Sequence, residues 1–303
     1  MRHETAGDPM TGLKWTRRTT RKIAEQLRCQ GIRVGRNTVG RLLKGMDFSL
    51  RVNHKKLSHG SGVDRDAQFE CIAELREEFT ARGNPMISVD TKKRELIGQF
   101  RNPGRAWNRE PIQVHDHDFR SLAQGIGIPY GVYDLQANQG MIFLGTSFDT
   151  PAFAVDSIAT WWRSEGRVRY PDAACLCIFA DGGGSNSSSS RAWKHGIQQK
   201  LCDVYRIAVT VSHYPPGTSK WNPIEHRLFS EISKNWAGRP LDSYKTALNY
   251  CRRTSTATGL KVRAQLVRRK YQKGIKTSDV QMSGLALNKR DILPQWNYTL
   301  VPR

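Results

Sequence analysis

The chain has 303 residues, of which 38% are hydrophobic and 25% charged, so it can bury a sizeable core and is not a disordered basic tail. Its 48 Lys and Arg against 27 Asp and Glu give a formal net charge of +21. The sequence has no apolar run of about 18 residues, no signal-peptide pattern at its N-terminus and no CxxC pair among its six Cys. We therefore expect a reduced, soluble, cytoplasmic protein that has no membrane partner.

The excess of positive charge lies at the two ends of the chain. Residues 1–60 hold 14 Lys and Arg against 4 Asp and Glu, and residues 226–303 hold 16 against 4. Residues 61–225 are nearly neutral, with 18 against 19. Basic flanks suit a polyanion because neutralising its phosphates releases counterions. Nucleic acid is the expected partner, and general solubility is the alternative because net charge alone does not specify a partner.

Residues 19–46 predict two short helices separated by a turn at Gly31, which is the rhythm of a helix-turn-helix. Base edges would be met by residues near the start of the second helix: Arg36, Asn37, Thr38 and Arg41. Phosphates would be met by four basic residues at the start of the region: Arg17, Arg18, Arg21 and Lys22. Any basic helical hairpin shows a similar pattern, so that alternative stays open.

The chain then continues with a helix predicted over 64–81 and an order of elements typical of an α/β fold. Strands are predicted from apolar or alternating runs at 86–90, 95–100, 131–134, 141–145, 175–180 and 207–212. Helices are predicted from apolar periodicity at 153–162, 191–204 and 220–236. This order predicts a mixed sheet with helices packed on it.

Three acidic residues occupy positions that suggest a site. Asp90 and Asp181 each end an apolar strand, where α/β sheets place their sites, although a turn-capping Asp is a common alternative. At roughly 100° per residue, Glu225 falls in the middle of the apolar arc of its predicted helix. A carboxylate buried there is costly unless it is paired or binds a cation.

Oxygen ligands of this kind favour a hard divalent cation such as Mg²⁺. Two Mg²⁺ ions roughly 4 Å apart activate a water or a 3′-hydroxyl and stabilise the leaving oxygen of a phosphodiester. We therefore expect Asp90, Asp181 and Glu225 to be both metal ligands and catalytic residues, with Mn²⁺ as a substitute metal.

Other residues suggest contacts with DNA or with metal less specifically. Phosphate contacts are predicted for Lys220, beside Trp221, which could stack on a base or anchor the helix. They are also predicted for the basic run Arg268, Arg269 and Lys270, with a solvated face as the alternative. His213 and His226 lie near the acidic positions, and a direct catalytic role is the weaker interpretation for both. Residues 115–118 read His-Asp-His-Asp, for which a polar loop is favoured over a metal site.

The order Asp90, Asp181 and Glu225 resembles the DDE triad of transposases and retroviral-type integrases. Several stretches resemble the ISAzo13-like family of bacterial insertion-sequence transposases more closely. They are ISVDTKKREL at 87–96, IPYGVYDL at 128–135, ADGGGSN at 180–186, PPGTSKWNPIEHRLFS at 215–230, GLKVRAQL at 259–266 and WNYT at 296–299. The resemblance runs from about Gly7 to the end. Family members usually carry more helical sequence before that point, so part of the N-terminal DNA-binding region is expected to be missing.

The resemblance implies an α/β, RNase H-like fold with a mixed five-stranded sheet flanked by helices, an N-terminal helix-turn-helix and a basic C-terminal extension. The corresponding regions are a DNA-binding region at 1–57, a linker and helix at 58–84, a catalytic domain at 85–240 and a basic region at 241–303. It also implies Mg²⁺-dependent cleavage and transfer of double-stranded DNA, at element ends and at a target, by a homo-oligomer in the bacterial nucleoid. Two alternatives stay open: a host nuclease of the same fold, and a non-catalytic DNA-binding remnant or regulator.

Overall fold

The computed structural model describes residues 5–7, 14–16, 18–50 and 62–303. The chain divides into two compact units, residues 1–57 and residues 58–303, and each is described by itself. Arg17 lies outside the described residues. Among the described residues, no helix combines the length and the apolar character that crossing a bilayer requires.

The first unit contains a short antiparallel pair, β1 (Thr5–Gly7) and β2 (Lys14–Thr16), followed by the two predicted helices. These helices are α1 (Thr20–Cys29) and α2 (Arg36–Gly45). The α1 helix begins at a cap in which Thr19 Oγ1 accepts a hydrogen bond from the Lys22 backbone N–H at 3.3 Å. The two helices pack through a small apolar cluster of Ile23, Ala24 and Val39.

The second unit is built on one mixed sheet of nine strands. Its strands are β3 (Met86–Thr91), β4 (Glu95–Ile97), β5 (Gly125–Asp134), β6 (Gln139–Gly145), β7 (Cys175–Asp181), β8 (Ala208–Tyr214), β9 (Lys261–Val267), β10 (Leu287–Lys289) and β11 (Asn297–Leu300). The central order is β8-β7-β3-β5-β6, with β5 antiparallel to both of its neighbours and the other four strands parallel to one another. This is the strand order and direction of the RNase H-like fold, so the expected RNase H-like sheet flanked by helices is confirmed.

The sheet has more than the five strands expected, because β4 pairs with β5 and residues after 240 add three strands beside the central five. Beside β6, at one side of the central strands, β9 pairs in parallel. At the other side, β11 pairs with β8 and β10 pairs with β11. In β9, the buried Val262 and Ala264 alternate with the exposed Lys261 and Arg263. The basic composition of this segment therefore does not indicate the strand that it forms. The region expected as a basic extension therefore supplies part of the sheet.

Helices cover both faces of the sheet and leave its carboxyl-end edge accessible. They are α3 (Gly62–Ala81), α4 (Pro151–Trp161), α5 (Arg167–Arg169), α6 (Arg191–Ile197), α7 (Asp203–Tyr205), α8 (Ser230–Asn235), α9 (Tyr244–Arg252) and α10 (Asp279–Ser283). Ile87 and Val89 of β3 belong to a core with α4 and α6 on one face. The opposite face packs against α8 and α9 at β5 and β6, and against α3 at β7.

Candidate active site

Asp90 and Asp181 lie at the same edge of the sheet, at the ends of two adjacent parallel strands. Val89 pairs with Ala180 in the register between β3 and β7, so the two aspartates follow directly after paired residues. Asp90 is only 7% exposed, and its Oδ1 accepts a hydrogen bond from the Thr91 backbone N–H at 2.7 Å. Asp181 is half-buried and Oδ1 accepts from the Gly183 backbone N–H at 3.4 Å. Both carboxyl groups line one cavity of about 290 Å³.

Glu225 reaches this edge from a helix that is anchored to β3. The Ile224 backbone N–H donates to Ser88 Oγ at 3.2 Å, and the Ser88 hydroxyl donates to Asn222 Oδ1. Since Ser88 and Asp90 are two positions apart on β3, both side chains lie on the same face of the sheet. The anchor therefore brings Glu225 next to Asp90, close enough for the charge of Glu225 to raise the pKa of Asp90.

The helical geometry assumed from the sequence is wrong at Glu225. A short 3₁₀ turn spans Ser219–Trp221, and residues Glu225–Phe229 form a π-helical turn before α8 begins. Because a π-turn advances by less than 100° per residue, the predicted angular position does not hold. Ile224 and Leu228 are fully buried, whereas Glu225 is half-buried and lies at the open edge of the sheet instead of within the core.

Burial raises the proton affinity of all three carboxyl groups, and neighbouring acidic charges add to this effect at the two aspartates. Burial and then the charge of Asp181 raise the pKa of Asp90 well above its ordinary value. Burial also raises the pKa of Asp181, and the charges of Asp149 and Glu225 add to it. Burial raises the pKa of Glu225, against the opposing effects of His226 and Lys92. The Lys92 ammonium is already engaged by Glu95 Oε1 at 2.5 Å and by the ring of Trp236.

The donor set at this edge fits a hard divalent cation. The three acidic side chains supply oxygen ligands, which a hard divalent cation prefers, and burial raises the pKa of each of them. A divalent cation would offset the cost of keeping these carboxylates ionised at one site. Within the described part of the chain, no three His, Cys, Asp or Glu side chains are already arranged as a metal site.

A family model described as a Rhodopirellula transposase DDE domain matches residues 1–302. The chain belongs to this transposase family. It is also similar to solved Mos1 transposase structures: a paired-end complex with the left transposon end at 14% identity and a TM-score of 0.44, and a mariner paired-end complex with Mn at 15% and 0.46. Each alignment covers 77% of this chain and 65% of the Mos1 chain. A Mos1 catalytic domain aligns at 12% identity and a TM-score of 0.41, over 64% of this chain and 81% of that one. A comparison with curated proteins found no match.

This DDE family member has a fourth acidic residue at the same edge that the sequence did not single out. Asp149 lines the cavity with Asp90 and Asp181, and its Oδ1 accepts a hydrogen bond from the Thr91 hydroxyl at 3.2 Å. The neighbouring Thr150 caps α4, which holds the turn in place. In the sequence, Asp149 is marked only by the Asp-Thr-Pro pattern at the start of α4, and this pattern is common in helices without a site.

The two histidines near the acidic positions differ in their environment. His213 is fully buried, and its ring lies between the Asp181 backbone oxygen and the Tyr298 hydroxyl. His226 is exposed and its ring contacts the Lys220 backbone oxygen. Residues 115–118 lie in the loop between β4 and β5, and His115 donates its backbone N–H to Gln99 O at 2.8 Å.

Most of the predicted DNA-contacting residues that the structure describes are exposed. In the first unit, Arg21, Lys22, Arg36, Asn37 and Arg41 are exposed, and Arg18 and Thr38 are half-buried. Arg21 is paired with Glu25 at 3.0 Å. In the second unit Lys220 is exposed beside Glu225, above the ring of Trp221.

The exposed run Arg268, Arg269 and Lys270 follows β9. Its middle residue has partners within the protein. Arg269 Nη1 pairs with Asp156 Oδ2 at 2.9 Å, and the guanidinium lies over the ring of Tyr271. This pairing distinguishes Arg269 from its two neighbours.

Proposed function

We propose that this chain cleaves DNA at the ends of an insertion sequence and joins those ends to target DNA, in a reaction that depends on Mg²⁺ or Mn²⁺. The observation that carries the proposal is the meeting of Asp90, Asp181 and Glu225 at one edge of an RNase H-like sheet. Membership of a transposase family supports the same reaction class.

Asp90, Asp181 and Glu225 would hold two divalent cations, which activate the attacking oxygen and stabilise the leaving oxygen of a phosphodiester. Hydrolysis breaks the P–O3′ bond in one strand at the element end, leaving a 3′-hydroxyl and a 5′-phosphate on the two sides of the nick. The 3′-hydroxyl then attacks a target phosphodiester, and the new P–O bond replaces the one that breaks. The three carboxylates would fix the position at which the cations meet the scissile phosphate, and Lys220 next to Glu225 would neutralise a neighbouring phosphate.

Binding to double-stranded DNA would use both basic ends of the chain. In the first unit, the start of α2 would meet base edges through Arg36, Asn37, Thr38 and Arg41, and Arg17, Arg18, Arg21 and Lys22 would contact phosphates. In the second unit, phosphate contacts would come from Lys220 and from the run 268–270. We assign DNA binding to 1–57, the linker and helix to 58–84, catalysis to 85–240 and support to 241–303. The protein would act as a homo-oligomer in the bacterial nucleoid, because two DNA ends must be brought together.

A cleavage assay tests the proposal directly. Purified full-length protein is mixed with a supercoiled plasmid that carries both ends of the encoding element, in Mg²⁺, in Mn²⁺ or in EDTA. We expect nicking at the element termini with either metal and none in EDTA. Asp90→Asn, Asp181→Asn and Glu225→Gln should each reduce cleavage by at least about 1,000-fold, since all three act on the same bond.

Asp172→Asn is the matched control, because this exposed acid lies just before the opposite end of β7. Its cleavage should equal that of the unaltered protein. Cleavage that persists in Asp181→Asn would contradict the proposed mechanism. Tight binding to the plasmid ends without nicking in either metal would instead favour a non-catalytic DNA-binding remnant.

A further inference from the structure

The C-terminal WNYT segment is buried against the strand that neighbours Asp181. Its residues Asn297 and Tyr298 are 0% and 1% exposed and lie on β11, which pairs with β8. Asn297 Oδ1 accepts hydrogen bonds from Ser212 Oγ at 2.7 Å and from Gln68 Nε2 at 2.9 Å. Two polar side chains of a late segment are therefore built into the centre of the second unit.

Every polar group of His213 has a hydrogen-bond partner, and two of the partners belong to the WNYT segment. Its backbone N–H donates to Trp296 O at 3.0 Å, and its carbonyl oxygen accepts from Gln68 Nε2 at 2.8 Å. Its ring atoms Nδ1 and Nε2 lie 3.1 Å from Asp181 O and 3.1 Å from Tyr298 Oη. A fully buried ring with both nitrogens engaged has a single orientation.

The chemistry of the partners determines the direction of each hydrogen bond. A carbonyl oxygen only accepts, so His213 Nδ1 carries the proton and donates it to Asp181 O. In the neutral ring Nε2 is then an acceptor, and the Tyr298 hydroxyl donates to it. Tyr298 Oη in turn accepts the indole N–H of Trp193 at 3.0 Å. The result is a directed chain from Trp193 through Tyr298 and His213 to the backbone of Asp181.

The environment keeps the ring in the neutral form that this chain requires. His213 is fully buried, and a charged imidazolium with no carboxylate bonded to its ring nitrogens is strongly disfavoured there. The Lys194 ammonium lies 5.0 Å from the centre of the Tyr298 ring.

We propose that Trp193, Tyr298 and His213 are positioning residues that hold the backbone of Asp181, and so place its carboxylate for metal binding. Asp181 is the last paired residue of β7 and is followed by three glycines, which bring no side chains to pack the turn. The hydrogen bond from His213 therefore acts at the point where regular pairing stops. The proposal rests on the proposed function only in assigning the metal to Asp181.

Four variants of the full-length chain test the proposal. His213→Leu removes the donor to Asp181 O, whereas His213→Asn has a similar size and can place an amide N–H near the position of Nδ1. Tyr298→Phe removes one oxygen atom from the chain of hydrogen bonds. Tyr133→Phe is the matched control, because Tyr133 is another fully buried tyrosine of the sheet whose hydroxyl bonds to Asn138 instead.

The first readout is nuclear magnetic resonance of the metal-free protein. We expect the His213 ring to be neutral with its proton on Nδ1, and the backbone amide signals of Asp181, Gly182 and Gly183 to shift in His213→Leu and Tyr298→Phe. They should stay close to the unaltered protein in Tyr133→Phe. His213→Asn, which keeps the donor to Asp181 but loses the Tyr298 partner, should shift them less than His213→Leu. A ring proton on Nε2, or shifts in Tyr298→Phe no larger than in Tyr133→Phe, would overturn the proposal.

The second readout is the Mn²⁺ concentration that gives half of the maximal increase in melting temperature. Groups that orient metal ligands typically change metal affinity by about 10–100-fold when removed. We therefore expect at least a tenfold higher Mn²⁺ requirement in Tyr298→Phe and not in Tyr133→Phe, and an equal requirement in the two would overturn the proposal. If the unaltered protein neither binds Mn²⁺ nor cuts DNA, the proposed function fails, and the amide signals still decide whether these residues position Asp181. If His213→Leu does not fold, Tyr298→Phe decides.

Discussion

The Ile224 backbone N–H donates to Ser88 Oγ at 3.2 Å, and this contact joins the strand that carries Asp90 to the helix that carries Glu225. Ser88 is fully buried and also donates to Asn222. One hydroxyl group thus connects residues that are 136 positions apart in the chain. It links the packing of the core directly to the geometry of the candidate site.

Ser88→Ala should lower both stability and cleavage. The substitution leaves the buried Ile224 N–H and the Asn222 side chain without this partner, which costs about 1–3 kcal/mol in the free energy of unfolding. The measurement is urea denaturation together with the rate of plasmid nicking. Ser157→Ala removes another buried hydroxyl, which bonds to Phe153 O within α4, and serves as the control. Equal losses of nicking in the two variants would exclude a special link between Ser88 and the site.

Asp90→Asn should stabilise the protein when no metal is present. Burial and the nearby Asp181 raise the pKa of Asp90, which means that its charged form is unfavourable in the folded chain. An uncharged amide removes this repulsion and should raise the melting temperature in EDTA by about 2–4 °C, equivalent to roughly 1 kcal/mol for a domain of this size.

The same variant should lose the stabilisation that Mn²⁺ brings to the unaltered protein. Differential scanning fluorimetry in EDTA and in Mn²⁺ measures both effects, with Asp172→Asn as the control. A lower melting temperature of Asp90→Asn in EDTA would show that the carboxylates do not repel one another as described.

Asp149→Asn should weaken metal binding without abolishing it. Asp149 adds negative charge beside Asp90 and Asp181, and its contact with the Thr91 hydroxyl can be retained by an amide oxygen. Losing one such charge removes about 1 kcal/mol of attraction for a cation, a factor of roughly 5 in affinity. A titration with Mn²⁺ measures the change. A loss as complete as that of Asp181→Asn would make Asp149 a metal ligand in its own right.

His213 should make the protein less stable as the pH falls towards 4. Burial depresses its pKa from 6.5 to about 4, so between these values the unfolded chain binds a proton at this position and the folded chain does not. Lowering the pH through this window therefore favours the unfolded state, by up to about 3 kcal/mol.

Urea denaturation in EDTA from pH 4.5 to 7 measures the effect as a difference between the unaltered protein and His213→Asn. The difference cancels the contributions of the acidic cluster, which have the opposite sign because its pKa values are raised. The stability of the unaltered protein should fall more steeply with decreasing pH than that of the variant. Parallel curves would contradict a buried neutral imidazole.

The three residues of the basic run should differ in their effect on DNA binding. Arg268→Ala and Lys270→Ala should each reduce the dependence of log affinity on log salt concentration by about 0.9, the value for one phosphate contact. Arg269→Ala should leave that slope nearly unchanged, because Arg269 pairs with Asp156. Fluorescence anisotropy with a labelled duplex at several salt concentrations measures the slopes. If the slope falls as much in Arg269→Ala as in Arg268→Ala and Lys270→Ala, Arg269 leaves Asp156 to contact DNA.

The elements with strong local signals were predictable from the sequence. The apolar runs before Asp90 and Asp181 predicted the two central strands, and the alternation of strands and helices predicted the fold class. The π-turn at Glu225 was not predictable, because apolar spacing in a short window fits α and π geometry about equally well. The strands at β9 and β11 were missed because charged and polar residues interrupt their apolar pattern.

The sequence by itself determined the identity of the acidic residues, their order along the chain and the division of charge between basic ends and a neutral centre. Only the tertiary structure decided which polar groups share the site. Thr91, the neighbour of Asp90, bonds to Asp149, which lies 58 residues further along the chain. His213, which bonds to Asp181, also bonds to Tyr298, 85 residues further along. Such partners are specified by strand pairing and burial, because a polar side chain that is taken out of water must bond to whatever group the fold places beside it.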